Sequence, residues 1–143
     1  MERKGSAVWQ GGLKGGKGTV STASGVLTDQ QYSYSSRFEE GVGTNPEELI
    51  AAAHAGCFAM ALSAMLEEAG LTAERVAATA TVTLKPVDGA PTVTSSHLDV
   101  TARVPGATEE AFQEIAAKAK AGCPISRLLA PGTEITMTAA LEK

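Results

Sequence analysis

One long apolar run dominates the pattern of this chain. From Leu49 to Leu66 no charged side chain occurs, and His54 and Ser63 are the main polar interruptions. Its start is marked. Asn45 is a capping residue, and Pro46 fits the first helical position, where its missing N–H would be unpaired anyway. Glu48 follows Asn45 at capping-box spacing, and Glu47 and Glu48 suit the positive end of the helix dipole. Gly70, after Glu67-Glu68-Ala69, is a left-handed stop. The pattern predicts one helix, apolar on nearly every face and therefore buried. The run reaches transmembrane length, but its alanines and glycines, His54 and the flanking glutamates reject a membrane span.

Shorter patterns surround this helix. Gly5–Gln10 and Thr19–Thr22 read as antiparallel strands about a glycine-rich turn, with further strands at Gly25–Leu27 and Tyr32–Phe38. Gly11 to Gly16-Lys17 has phosphate-loop spacing. Gly18 replaces the required Ser/Thr, however, and no helix follows, so a hairpin turn is the reading. Val76–Val87 and Thr92–Val104 alternate Thr and Val around the turn signal Asp88-Gly89-Ala90-Pro91. Thr108 caps a second helix, Glu109–Ala121, which Gly122 ends. Cys123 precedes Pro124, which opens a short helix through Leu129, and a last strand runs from Thr133 to Leu141. Strands on either side of segregated helices give an α+β class with mainly antiparallel pairing.

Length and charge narrow the picture. The chain has 143 residues, which suits a single domain over 1–143 with a core that needs no disulfides. A net charge of −4 argues against nucleic acid as a partner. Met1–Gly5 has no apolar signal segment behind it, so a cytoplasmic location is expected. Two cysteines and two histidines do not fall in a compact metal-ligand spacing, so neither metal nor other cofactor is expected.

Cys57 sits in the middle of the apolar helix, where a lone cysteine is ordinarily an inert small hydrophobe. Cys123 stands just before a helix N-terminus, where thiolate is favoured. Taken singly, neither decides between packing and chemistry. Their surroundings narrow the choice. Thr44-Asn45-Pro46-Glu47-Glu48-Leu49, Ala52-Ala53-His54-Ala55-Gly56-Cys57 and Ala119-Lys120-Ala121-Gly122-Cys123-Pro124-Ile125-Ser126 resemble the OsmC/Ohr family of organic hydroperoxide peroxidases, and its osmotically inducible branch most strongly. Gly5–Trp9, Gly18–Thr22 and Gly25–Leu27 fit as well, so the resemblance covers nearly the whole chain.

The resemblance implies an OsmC-like fold, with mainly antiparallel sheets packed on a central buried helix in an intertwined homodimer. It also implies a metal-free, cysteine-based peroxidase protecting against oxidative stress. By the same resemblance Cys57 is the peroxidatic nucleophile and Cys123 the resolving thiol. Arg37 is the activating arginine and Glu47 its partner. A lipoylated protein or similar dithiol is the implied reductant. Phe58, Met60, Ile125 and Leu128 are candidates for an apolar entrance, with ordinary core packing the competing reading for each; His54 reads as structural.

Elementary chemistry agrees with those roles. An ordinary thiol, with a pKa of about 8.5, is mostly protonated at neutral pH, and burial worsens this. A buried Cys57 therefore needs a cation, and arginine stays charged while a glutamate orients it. Glu47 and Cys57 are ten residues apart, about 15 Å along a helix and on different faces. Antiparallel pairing of two such helices would instead bring Glu47 of one chain toward Cys57 of the other. A redox sensor or thiol–disulfide exchange protein without fast peroxide turnover is the alternative, weakened by the lack of a Cys-x-x-Cys motif. A noncatalytic dimeric binding module is a third.

Overall fold

A computed structural model describes all 143 residues. The elements follow in the order β1 (Gly5–Gln10), β2 (Lys17–Thr22), β3 (Gln30–Tyr32), α1 (Tyr34–Phe38), α2 (Pro46–Glu68), β4 (Arg75–Val87), β5 (Ala90–Arg103), α3 (Glu109–Gly122), α4 (Pro124–Leu129) and β6 (Glu134–Glu142). The class is α+β, with two three-stranded sheets ordered β1-β2-β3 and β4-β5-β6. Every strand pair is antiparallel except β5–β6, which is parallel. The chain divides into two compact units, Met1–Leu49 and Ile50–Lys143.

In the first unit two sequence expectations change. Gly25–Leu27 is not a strand but part of the loop between β2 and β3. Tyr32–Phe38 does not continue as a strand either: it ends at Tyr32 and turns into α1. The cause is a serine pair. Ser33 Oγ accepts the Ser36 N–H, and Ser36 Oγ accepts the Ser33 N–H, closing a reciprocal capping box. That box overrides the aromatic alternation that suggested a strand. The β1 strand is exposed at every position, so its sheet has little core of its own within one chain.

In the second unit the core is built between α2, α3 and one face of the β4-β5-β6 sheet. Along β5 the residues Ser96, Leu98, Val100 and Ala102 are buried in strict alternation. Phe58, Leu62 and Leu66 of α2 and Phe112, Ala116 and Ala119 of α3 complete the cluster. The β4–β5 hairpin turns on Asp88-Gly89 alone, with φ of +50° and +80°. That backbone matches the twist of the flanking strands, so β5 starts at Ala90, two residues before the sequence expectation.

The caps of α2 are largely those expected. Asn45 Oδ1 accepts the Glu48 N–H at 2.8 Å, but Glu48 Oε2 is taken by Thr44 Oγ1 rather than by the Asn45 backbone. At the other end Gly70 has φ +77°, and the Leu71 N–H donates to the Leu66 carbonyl, a left-handed stop. Burial differs from the expectation. The buried residues His54, Phe58, Leu62 and Leu66 form one stripe, while Ala53, Gly56, Met60 and Ala64 on another face are exposed. One chain thus covers only part of an all-round apolar helix.

Candidate active site

The two thiols meet. Cys57 lies in the middle of α2 and Cys123 in the turn that joins α3 to α4. They are free cysteines packed in one cluster, with the Cys123 thiol near enough to influence Cys57, Cys57 half-buried and Cys123 fully buried. Thr108 fixes where α3 begins by accepting the Ala111 N–H. Cys123 has φ −54° and ψ 129°, a non-helical bend from which Pro124 starts α4. This local chemistry aims the buried end of α3 at α2.

Burial, chiefly, pushes the Cys57 thiol up from its ordinary range, and the neighbouring Cys123 thiol adds to the rise. A backbone hydrogen bond from Ile125, in the first turn of α4, acts the other way and favours the thiolate. None of the influences on Cys57 within the chain is cationic.

In the first unit Arg37 and Glu47 form a two-pronged ion pair. Arg37 Nε donates to Glu47 Oε1 at 3.0 Å and to Oε2 at 3.3 Å, and Nη2 donates to Oε1 at 2.8 Å. The guanidinium also lies over the Phe38 ring, 5.1 Å from its centroid. The glutamate side chain is nearly buried, at 11% exposure, against 38% for the arginine. The carboxylate therefore holds the guanidinium from the protein side and leaves its outer edge toward solvent. Beside Arg37 a cavity of about 240 Å³ is lined mainly by Trp9, Tyr32, Tyr34 and Phe38. The sequence reading missed this aromatic recess, because those four residues are scattered over two strands and a helix that read as strand.

The four proposed entrance residues separate. Phe58 is wholly buried in the core and offers no surface, whereas Met60 and Leu128 are 77% and 71% exposed. Ile125 is half-buried, and its backbone rather than its side chain is what bonds to Cys57. A further polar set was also missed in part. His54 is fully buried between Ser96 Oγ, 2.7 Å from Nδ1, and Ser126 Oγ, 2.8 Å from Nε2. The signal for Ser126 was its place two residues after Pro124; for Ser96, a polar residue on the buried phase of a strand. No group of His, Cys, Asp and Glu side chains is arranged to hold a metal ion.

A two-sheet α+β chain with one thiol on its long helix and a second on the bend before α4, it belongs to the OsmC-like proteins, whose family model matches residues 39–138. Within that family it falls in the OsmC branch: it is 52% identical over 137 residues to peroxiredoxin OsmC of Escherichia coli strain K12, covering 96% of this chain and 94% of that one. Among solved structures, an organic hydroperoxide resistance protein of Elizabethkingia anophelis is 26% identical, with a TM-score of 0.73 over 99% of each chain. An OsmC-like protein of Mycoplasma pneumoniae shares the fold at 16% identity, with a TM-score of 0.76 over 100% of this chain and 99% of that one.

Proposed function

We propose that this chain is a cysteine-based peroxidase that detoxifies peroxides, and specifically that it reduces organic hydroperoxides to alcohols. The observation that carries the reading is the packing of the Cys57 and Cys123 thiols side by side. The Cys57 thiolate attacks the distal peroxide oxygen, the O–O bond breaks, and the alkoxide leaves with a proton as alcohol. The Cys57 sulfenic acid then loses its oxygen as water when Cys123 attacks the sulfur, giving a disulfide before further oxidation. A dithiol or lipoylated protein returns both sulfurs to thiols by exchange. Met60, Ile125 and Leu128, backed by Phe58, form the apolar approach.

The cation that Cys57 lacks within its own chain comes, in this reading, from a second copy. The exposed stripe Ala53, Gly56, Met60 and Ala64 supports a helix-to-helix contact, and the exposed β1 supports an intertwined homodimer. If two α2 helices cross antiparallel about a twofold axis near Ala52, Glu47 of one is level with Cys57 of the other. The Arg37–Glu47 pair would then favour the thiolate across the interface. Each subunit is one OsmC-like domain working in the cytoplasm.

The test is to follow cumene hydroperoxide consumption with a dithiol reductant, alongside the masses of the protein. Cys57→Ser is expected to abolish turnover, and Cys123→Ser to accumulate sulfenic and sulfinic acid at Cys57. A disulfide that forms without turnover would instead mark a thiol–disulfide exchange protein. No oxidation at all would leave only a binding module.

A further inference from the structure

The contact between His54, Ser96 and Ser126 has no part in the chemistry so far. It joins α2, β5 and α4 at one buried point. Both serines are buried, at 0% and 2% exposure. Burial pushes the His54 pKa down, so the ring is neutral, with one nitrogen donating and the other accepting. A hydrocarbon of similar size would fill this space without requiring two buried hydroxyls. What the polar set supplies is a fixed direction.

Apart from this contact α4 is held by Ile125 against the core cluster and by packing on α3 and β6, with no polar side-chain anchor. It is six residues long, its N-cap Cys123 makes no side-chain capping bond, and Ser126 is its one buried residue. Just ahead of Ser126 in the chain lie the two groups that act on Cys57: the backbone of Ile125 and, one residue before the helix, the Cys123 thiol. His54 itself sits on α2 about one turn before Cys57. The anchor and the reaction centre therefore belong to the same two elements.

We propose that His54 is a positioning residue for the cysteine pair: through Ser126 it holds the first turn of α4 in register with α2 and keeps Cys123 within closing distance of Cys57. The inference rests on the peroxidase reading for its purpose, but the register is testable without peroxide. A disulfide requires sulfurs about 2.05 Å apart, and both cysteines are free here, so closing still needs a movement. Holding the segment beforehand shortens the search for that geometry.

The experiment uses diamide, which takes two electrons and two protons from the two thiols as the S–S bond forms and becomes a hydrazine. The full-length protein is reduced, mixed with diamide, quenched by alkylation and weighed. His54→Asn keeps a polar group only near the Nδ1 position, toward Ser96. His54→Gln keeps one near the Nε2 position, toward Ser126. Ser126→Ala removes the α4 arm with little change in volume. Closure is expected to slow at least tenfold in His54→Asn and Ser126→Ala and to recover largely in His54→Gln. With cumene hydroperoxide the two slow variants should divert more Cys57 to sulfinic acid.

Closure within twofold of the parent protein in Ser126→Ala would overturn the proposal. So would equal slowing by Asn and Gln, the pattern of lost packing alone. If His54→Asn does not melt as a folded protein, Ser126→Ala against the parent decides. A parent protein that closes with diamide yet ignores peroxide would sink the peroxidase reading while slow closure in the variants upheld this one.

Discussion

Cys57 and Cys123 are neighbouring thiols, one carried by the middle of α2 and the other by the bend before α4. In the proposed reaction the contact that would let a disulfide form also opposes the first step, since burial and a neighbouring thiol both raise the Cys57 pKa. A peroxidase built on this pair needs its thiolate favoured from outside that contact.

If two copies share the site as proposed, separating them should push the Cys57 thiol up further. Ala53 lies on the exposed stripe of α2, and Ala53→Trp would place a bulky neutral side chain where a second helix is expected. The variant should sediment as a monomer, and its thiolate absorbance should appear at higher pH than in the parent. Local burial and Cys123 stay in place while the second copy's guanidinium is lost. A monomer whose Cys57 titrates like the parent would refute cross-subunit activation.

The ion pair is expected to serve the first step and not the second. Arg37→Lys loses the planar two-pronged contact with Glu47 that the structure contains. Peroxide consumption should fall about a hundredfold, the range found on removing a group that stabilises developing negative charge. Diamide-driven closure of Cys57 and Cys123 should stay close to the parent rate. Rapid-mixing measurements of both steps check this.

The buried histidine predicts a slope of stability with pH. The folded pKa of His54 is depressed below its ordinary value of about 6.5, so the unfolded chain takes up the proton first as acid is added. The stabilisation is present above about pH 6.5 and is lost as pH falls toward the folded value. Urea midpoints should drop between about pH 7 and pH 5, and the drop should be smaller in His54→Gln. An unchanged slope in that variant would show that His54 is not its source.

Core packing gives a simpler expectation. Leu62 is fully buried on the inner stripe of α2. Leu62→Ala should cost about 2–5 kcal/mol in urea unfolding, the range for a truncated core leucine.

Much of this architecture is legible from local chemistry. Pro46 and Gly70 bracket α2, Thr108 starts α3, and Asp88-Gly89 turns the long hairpin. The misreadings also have local causes. Ser33 and Ser36 are each unremarkable in a run with aromatic alternation, and only their reciprocal bonding makes α1. The site was legible as a motif but not as geometry. No spacing along the chain says that Ser126 will meet His54 or that the Ile125 backbone will bond to Cys57, because both depend on how α4 returns onto α2. The uniform apolarity of α2 predicted burial without saying how much of it one chain would supply.

The parallel pairing of β6 with β5 has a consequence for the reaction centre. Parallel neighbours cannot be joined by a tight turn, so the chain must travel back along the sheet first, and α3, Cys123 and α4 are that return journey. The Cys123 sulfur is thus mounted on an obligatory strut whose far end is bolted to β5 by ladder alignment. A slip of β6 by two residues would preserve which side chains face inward yet drag the strut by about 6–7 Å, far beyond bonding range of its mate. Strand alignment at the C-terminal edge acts as a length gauge for chemistry carried elsewhere.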